Sequence, residues 1–332
     1  MSSKQRTEIS KDAHKSGHFA GGFAGGFAGG FADRLFKSVA LLCGLLILMV
    51  LTAVALFLLF QALPIVGANK SQVSQVFLDF TGGKAHDFLS YVAPMVFGTV
   101  LMSALALLLA FFVSIGIALF ISHYAPPKMV PLLSGVVDLL AAIPSVIYGL
   151  WGGLVLVPSI YPFWKFISHI FGWIPLFAGP AASPSRSAAT VSVVLAVMIL
   201  PIITSMARDI FQQAPRLQQE GALALGATKW EMIKLAVLPF AKSGIVSASM
   251  LGLGRALGET MAVLMILSPG FTFKFNILQA SQNQTIAANI AAQYPEANGL
   301  GVSALIATGL VLFVISFAVN LIARKITGKA SA

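Results

Sequence analysis

The chain has 332 residues, of which 58% are hydrophobic and 10% charged. Soluble domains run near ~45–50% apolar and about 25% charged, and the mean hydropathy here is +0.90. A soluble globular enzyme and a disordered chain are both excluded, and the chain reads as an all-α polytopic membrane protein. The net charge of +10 then bears on orientation in a bilayer, not on nucleic acid.

The first segment, 1–34, is polar and then repetitive. Phe19 to Ala32 reads FAGGFAGGFAGGFA, too short and too Gly-rich to cross a bilayer, so the expectation is a flexible tail. His14 and His18 stand four apart there, without a stable helix to present a metal site. Long apolar runs follow, and six spans are expected near 36–62, 93–121, 132–157, 188–207, 241–267 and 300–322, since about 20 apolar residues cross the hydrocarbon. Cys43 falls in the first run and reads as a small buried hydrophobe; as the single cysteine it excludes an intramolecular disulfide and a Cys-cluster metal site. The stretch 158–179 is apolar and aromatic but carries Pro158, Pro162, Pro175, Lys165 and His169. It reads as a segment at the membrane surface; a seventh span is the competing reading.

Charge placement tests the six-span arrangement. With the N-terminus cytoplasmic, fifteen Lys and Arg fall in cytoplasmic segments, five in external ones, and Arg255 inside a span. That asymmetry follows the positive-inside rule and places both termini in the cytoplasm. The first apolar run is too long and too late for a cleaved signal peptide.

Enzyme motifs are absent: there is no H-E-x-x-H, no G-x-S-x-G and no P-loop. His86, His123 and His169 are scattered. No residue is assigned a catalytic or metal-binding role, and ATP, if used, binds elsewhere. Three charges lie within spans: Asp138, Arg255 and Glu259. Asp138 is near the start of its span and fits an interfacial or a functional role equally. Arg255 and Glu259 are deep, and their i, i+4 spacing predicts a pair on one helix face. Gly244, Ala248, Gly252 and Ala256 form a small stripe beside Arg255 that permits close helix contact. The pair reads either as a structural clamp or as part of a solute path.

The segment 208–240 carries ordered turn chemistry. Pro215 opens a helix, Gly226 suits a left-handed stop, and Thr228 with Glu231 forms a capping box. Pro239 is expected to end the second helix. Two short helices hinged at glycine outside the bilayer form a docking element for a cytoplasmic partner.

These residues carry a resemblance. The run Glu220 to Pro239, EGALALGATKWEMIKLAVLP, resembles the E-A-A-x-x-x-G-x9-I-x-L-P loop of binding-protein-dependent ABC importer permeases. Glu220, Ala222, Gly226, Leu238 and Pro239 match; Gly221 and Ala236 depart. Ala141 to Gly152, AAIPSVIYGLWG, and Gly252 to Val263, GLGRALGETMAV, resemble the phosphate-specific branch, the first its C-type rather than its A-type permease. The resemblance implies a type I importer (MetI-like) permease fold over 93–325, after a first transmembrane helix and external loop at 35–92. It implies ATPase coupling through Glu220, Gly221, Ala222 and Gly226, and translocation past Arg255 and Glu259, with phosphate competing with Glu259 for the guanidinium. Pro144 and Pro201 are the candidate bend or gating points. The implied partners are a homologous A-type permease, two ATPase subunits that bind ATP and magnesium, an extracytoplasmic phosphate-binding protein, phosphate and membrane lipid. No cofactor is expected on this chain, and the location is a prokaryotic inner membrane. The alternatives are an importer of another oxyanion or small solute, an ATP-independent secondary transporter, and a sensing or scaffold role.

Overall fold

The computed structural model describes the backbone of residues 25–330 and the side chains of residues 33–325. Most of the expected tail therefore lies outside the described residues. Residues through Phe57 and residues from Leu58 form two compact units. Among the described residues, five helices are long and apolar enough to cross a membrane, and one bent helix pair brings the number to six if it crosses as one span.

The first helix, α1 (Gly25–Gly67), begins well ahead of the expected 36. Once a leucine-rich helix is nucleated, each added residue gains a backbone hydrogen bond at little further cost. No residue from 33 to 57 is buried. Such a helix is stable when lipid is its solvent. Cys43 is accordingly exposed, against the expected burial.

In the second unit, α2 (Lys70–Thr81) packs Phe77 under the start of α3 (Phe88–Leu119), against Phe88 and Tyr91. Ser90 Oγ accepts from the Asp87 N–H at 3.1 Å and sets the start of α3.

The expected span 132–157 is not one rod. Helix α4 (Val130–Ala141) and helix α5 (Ser145–Trp151, with its continuation to Ser159) meet at 86°. Pro144 lies at the break. Its ring offers no N–H and pushes the preceding residue out of helical geometry. Tyr148 Oη donates to the Leu140 carbonyl at 2.9 Å, satisfying a backbone acceptor that the break frees. Next, α6 (Tyr161–Phe171) is about 16 Å long, too short to span. It is pinned by Trp164, whose indole donates to Thr190 Oγ1 at 2.9 Å, while Phe163 and Phe166 stay exposed.

The central element is α7 (Ala188–Gln212), lined by buried Val191, Leu195, Ile199 and Ile203. Pro201 is buried inside it without breaking it. Ser114 Oγ of α3 donates to the Leu200 carbonyl at 3.1 Å, tying the two helices there.

Two short helices follow, α8 (Arg216–Ala224) and α9 (Lys229–Met232), then α10 (Leu238–Leu257). Pro239 does not end α9 as expected. A widened, π-type turn over Ile233–Val237 carries the helix on into α10, with Pro239 in its first turn, where a missing N–H is tolerated. The small stripe of α10 faces α7: Gly244 rests on Ile210, Gly252 on Ile203 and Ile199, and Ala248 and Ala256 are buried.

The expected span 241–267 is also interrupted. Helix α10 stops at Leu257, and α11 (Met261–Ile266) starts after a three-residue break. Helix α12 (Ile286–Gln293) and the long α13 (Leu300–Ala330) complete the chain. Between α11 and α12 the backbone folds back on itself: the Gly270 N–H donates to Asn283 O at 3.1 Å and the Thr272 N–H to Gln282 O at 3.0 Å.

Candidate functional site

The segment expected to couple to an ATPase begins where α7 ends. Helix α8 buries none of its residues, so its chemistry faces outward. It stops in a left-handed glycine: Gly226 has φ +88°, the Gly226 N–H donates to Leu223 O at 3.0 Å, and the Ala227 N–H to Ala222 O at 3.2 Å. This hydrogen-bonded stop satisfies two terminal carbonyls and requires a residue without Cβ strain. Thr228 Oγ1 accepts from the Glu231 N–H at 3.3 Å, while Glu231 Oε2 accepts from the Thr228 N–H at 2.8 Å. Ala222 packs toward Phe211, Ile233 and Val237, which seat the hinge on the bundle. Glu220, Gly221 and Gly226 are exposed, as are Leu217 and Leu225, at 82% and 91%. Two exposed leucines therefore flank this glycine-ended segment.

Arg255 lies near the C-terminal end of α10. Its depth follows from its neighbours: Gly252, one turn earlier, rests on Ile203 and Ile199 near the middle of α7. Arg255 is half-buried and lines a cleft of about 880 Å³ together with Ser247, Met250, Gly254, Asn320 and Arg324. The cleft runs toward the end of the bundle that carries the coupling segment. Among the described residues, two arginines and no carboxylate line it.

Glu259 is not the helical partner of Arg255. The two form no ion pair, because α10 ends between them at Leu257 and the i, i+4 geometry is lost. Glu259 is buried, and its Oε1 accepts from the Ala262 N–H at 3.1 Å, capping the first turn of α11. The expectation that Glu259 holds the guanidinium is thus corrected: its carboxylate is engaged by backbone.

A second charged cluster was only half legible. Arg208, at the start of the expected cytoplasmic segment 208–240, sits on α7 and is buried, with 7% of its surface exposed. Its Nη1 is 3.4 Å from Asp138 Oδ2 of α4, and its Nε and Nη2 donate to Asp209 Oδ1 at 2.9 and 2.8 Å. Ser205 Oγ donates to Asp138 Oδ1 at 2.6 Å. Asp138 was flagged by its depth. Arg208 carries no comparable signal, because the apolar run ends just before it.

With this geometry in place, the comparisons decide the family. The model of the binding-protein-dependent transport system inner membrane component matches residues 114–328. The phosphate transport system permease protein PstC 2 of Mycobacterium tuberculosis is 43% identical over 303 residues, covering 89% of this chain and 92% of that protein. The chain belongs to the PstC permeases of this family. PstC of Mycobacterium leprae is 44% identical over 301 residues, covering 89% of this chain and 93% of that protein, and PstC of Haemophilus influenzae is 35% identical over 308 residues, covering 90% and 93%. As a PstC-family chain it is a permease component of an inner-membrane transport system, not an enzyme.

The fold agrees. The membrane chain of the MetNI methionine ABC transporter, solved in inward-facing conformations, aligns with a TM-score of 0.54 at 16% identity, over 72% of this chain and 95% of that one. A chain of a bacterial ABC transporter involved in alginate import aligns with a TM-score of 0.53 at 19% identity, over 89% and 99%. The expected MetI-like importer permease fold is the fold observed, with the 132–157 crossing bent and the expected span 241–267 interrupted after Leu257.

Proposed function

We propose that this permease carries inorganic phosphate inward, with Arg255 as the positive charge that meets the anion at mid-depth. The observation that carries the reading is the position of Arg255: a guanidinium level with the centre of α7, opening into a carboxylate-free cleft with Arg324 further along it. A cation held at such depth faces a cavity, a partner or a pathway. A guanidinium binds phosphate oxygens through paired N–H donors. The PstC relatives favour phosphate over other oxyanions.

The remaining parts take their places around that path. Glu259 positions rather than competes: by capping α11 it holds the break that leaves Arg255 at a helix end. A homologous A-type permease closes the cleft from the other side. Two ATPase subunits bind ATP and magnesium, and one of them receives α8 and its hinge, with Glu220, Gly221, Ala222 and Gly226 at the contact. Movement there is passed through α7 to the Pro144 break, while Pro201 holds α7 against α3. An extracytoplasmic phosphate-binding protein delivers the anion, and both termini lie in the cytoplasm, following the excess of Lys and Arg on that side. Membrane lipid covers the outer helices.

The test is uptake of radiolabelled phosphate by the assembled complex carrying Arg255→Ala. Loss of uptake with the complex intact supports the path; uptake at the normal rate removes Arg255 from it. Competition by unlabelled sulfate, molybdate or phosphonate at equal concentration would reassign the solute.

A further inference from the structure

A second polar pocket, of about 370 Å³, lies at the face opposite the coupling segment. The separation follows from α7, which runs about 37 Å from Ala188, next to this pocket, to Gln212, next to the coupling segment. The pocket is built from residues 180–186 and 268–282. Its polar lining includes Arg186, Ser183, Ser268, Gln279 and Gln282, and no carboxylate. These side chains supply N–H and O–H donors in excess and a single fixed charge, which is positive.

The walls are pinned to one another. The Ala182 N–H donates to Leu278 O at 3.0 Å, the Ser268 N–H to Arg186 O at 3.2 Å, and the Ser281 N–H to Ser268 O at 3.2 Å. Arg186 is exposed, and its Nη2 donates to the Met265 carbonyl at 3.1 Å. That bond orients the fork and leaves other N–H groups of the guanidinium for a ligand. Met265 belongs to α11, a helix of about 9 Å whose first turn is capped by Glu259. Arg186 and Arg255 therefore stand near the two ends of one short helix, and Arg324 lies beyond Arg255 in the large cleft.

We infer that the Arg186 pocket is an outer waiting site for a tetrahedral oxyanion, which passes from it to Arg255. Cations at successive levels lower the electrostatic barrier to an anion entering low dielectric. A pocket without a carboxylate retains an anion that an acidic mouth would repel. This inference rests on the reading of Arg255 as part of the anion path.

The experiment uses the assembled complex in proteoliposomes, phosphate-loaded binding protein outside, and two readouts: phosphate taken up and ATP hydrolysed. Arg186→Gln removes the charged donors. Phosphate captured per ATP falls about tenfold, the scale of one hydrogen bond to a charged group, while stimulation of ATP hydrolysis by the loaded binding protein is unchanged. Gln279→Glu places a carboxylate in the pocket without touching the Arg186–Met265 bond, and lowers the ratio in the same direction. An unchanged ratio in both variants overturns the waiting site. So does lost stimulation at an unchanged ratio, which makes Arg186 a docking contact for the binding protein. Should Arg186→Gln fail to assemble, Gln279→Glu decides alone. Arg255→Ala separates the two readings: normal uptake there with a lowered ratio in Arg186→Gln sinks the mid-depth path and leaves the pocket. Abolished uptake there with unchanged ratios in both pocket variants sinks the pocket only.

Discussion

Two of the expected spans, 132–157 and 241–267, are interrupted, and for different reasons. Between α4 and α5 the chain turns by 86° at Pro144, a residue that has no N–H to continue a helix. Between α10 and α11 the chain stops at Leu257 with no proline at all, and resumes after Gly258, Glu259 and Thr260. The first break is imposed locally. The second is held by a buried carboxylate that satisfies the Ala262 N–H of the new helix. Non-helical backbone at membrane depth persists only where protein satisfies its polar groups, and each break has such a group: Tyr148 Oη at one, Glu259 Oε1 at the other. The contrast shows that a proline break is visible in a single sequence, whereas a break made by a side chain from outside the helix is not.

The largest expected effect tests what the second break is for. Arg255→Ala lowers phosphate uptake by about a hundredfold, as the loss of two charge-assisted hydrogen bonds implies, and Arg255→Lys recovers part of it by restoring the charge without the fork. Initial-rate uptake in proteoliposomes measures both.

Next comes the relation between Arg255 and Glu259. If Glu259 serves α11 and not Arg255, their stability effects add. A double-mutant cycle of Arg255→Ala and Glu259→Gln in thermal denaturation of the assembled complex gives a coupling below ~0.5 kcal/mol. A coupling of ~2 kcal/mol would restore the intrahelical ion pair.

The first break has a smaller lever. Tyr148→Phe removes one hydrogen bond to the Leu140 carbonyl and destabilises by ~1 kcal/mol, read as a lower denaturation midpoint. No change would mean that the 86° bend rests on Pro144 alone. A comparable effect is expected at Gly226. Gly226→Ala forces a Cβ into a left-handed conformation at ~1 kcal/mol, and hydrogen exchange of the Leu223 to Thr228 amides reports the loosening. Protection unchanged there would show that the stop does not need glycine.

Much of this arrangement was legible before any coordinates. The capping box at Thr228, the left-handed stop at Gly226 and the break at Pro144 depend on residues within a turn of each other, and local chemistry is what a sequence displays. The small stripe Gly244, Ala248, Gly252 and Ala256 pointed to a close helix contact, and α7 is that contact. The misreadings share one cause. Pro239 was taken for a stop, but a widened turn absorbed it. Arg255 and Glu259 were taken for a pair because their spacing assumes a helix that the fold interrupts. Arg208 reads as the first residue of the cytoplasmic segment, since nothing in its neighbourhood announces that Asp138, seventy residues earlier, will reach it.

The sequence by itself determined that this chain lives in a bilayer and where its caps and left-handed stop fall, because hydropathy and turn residues act over short stretches of chain. Which charges meet, which crossing bends, and which arginine faces a cavity were decided only when the helices packed. Those outcomes depend on how buried backbone and side-chain polar groups find partners across the bundle, and that accounting closes in three dimensions, not along the chain.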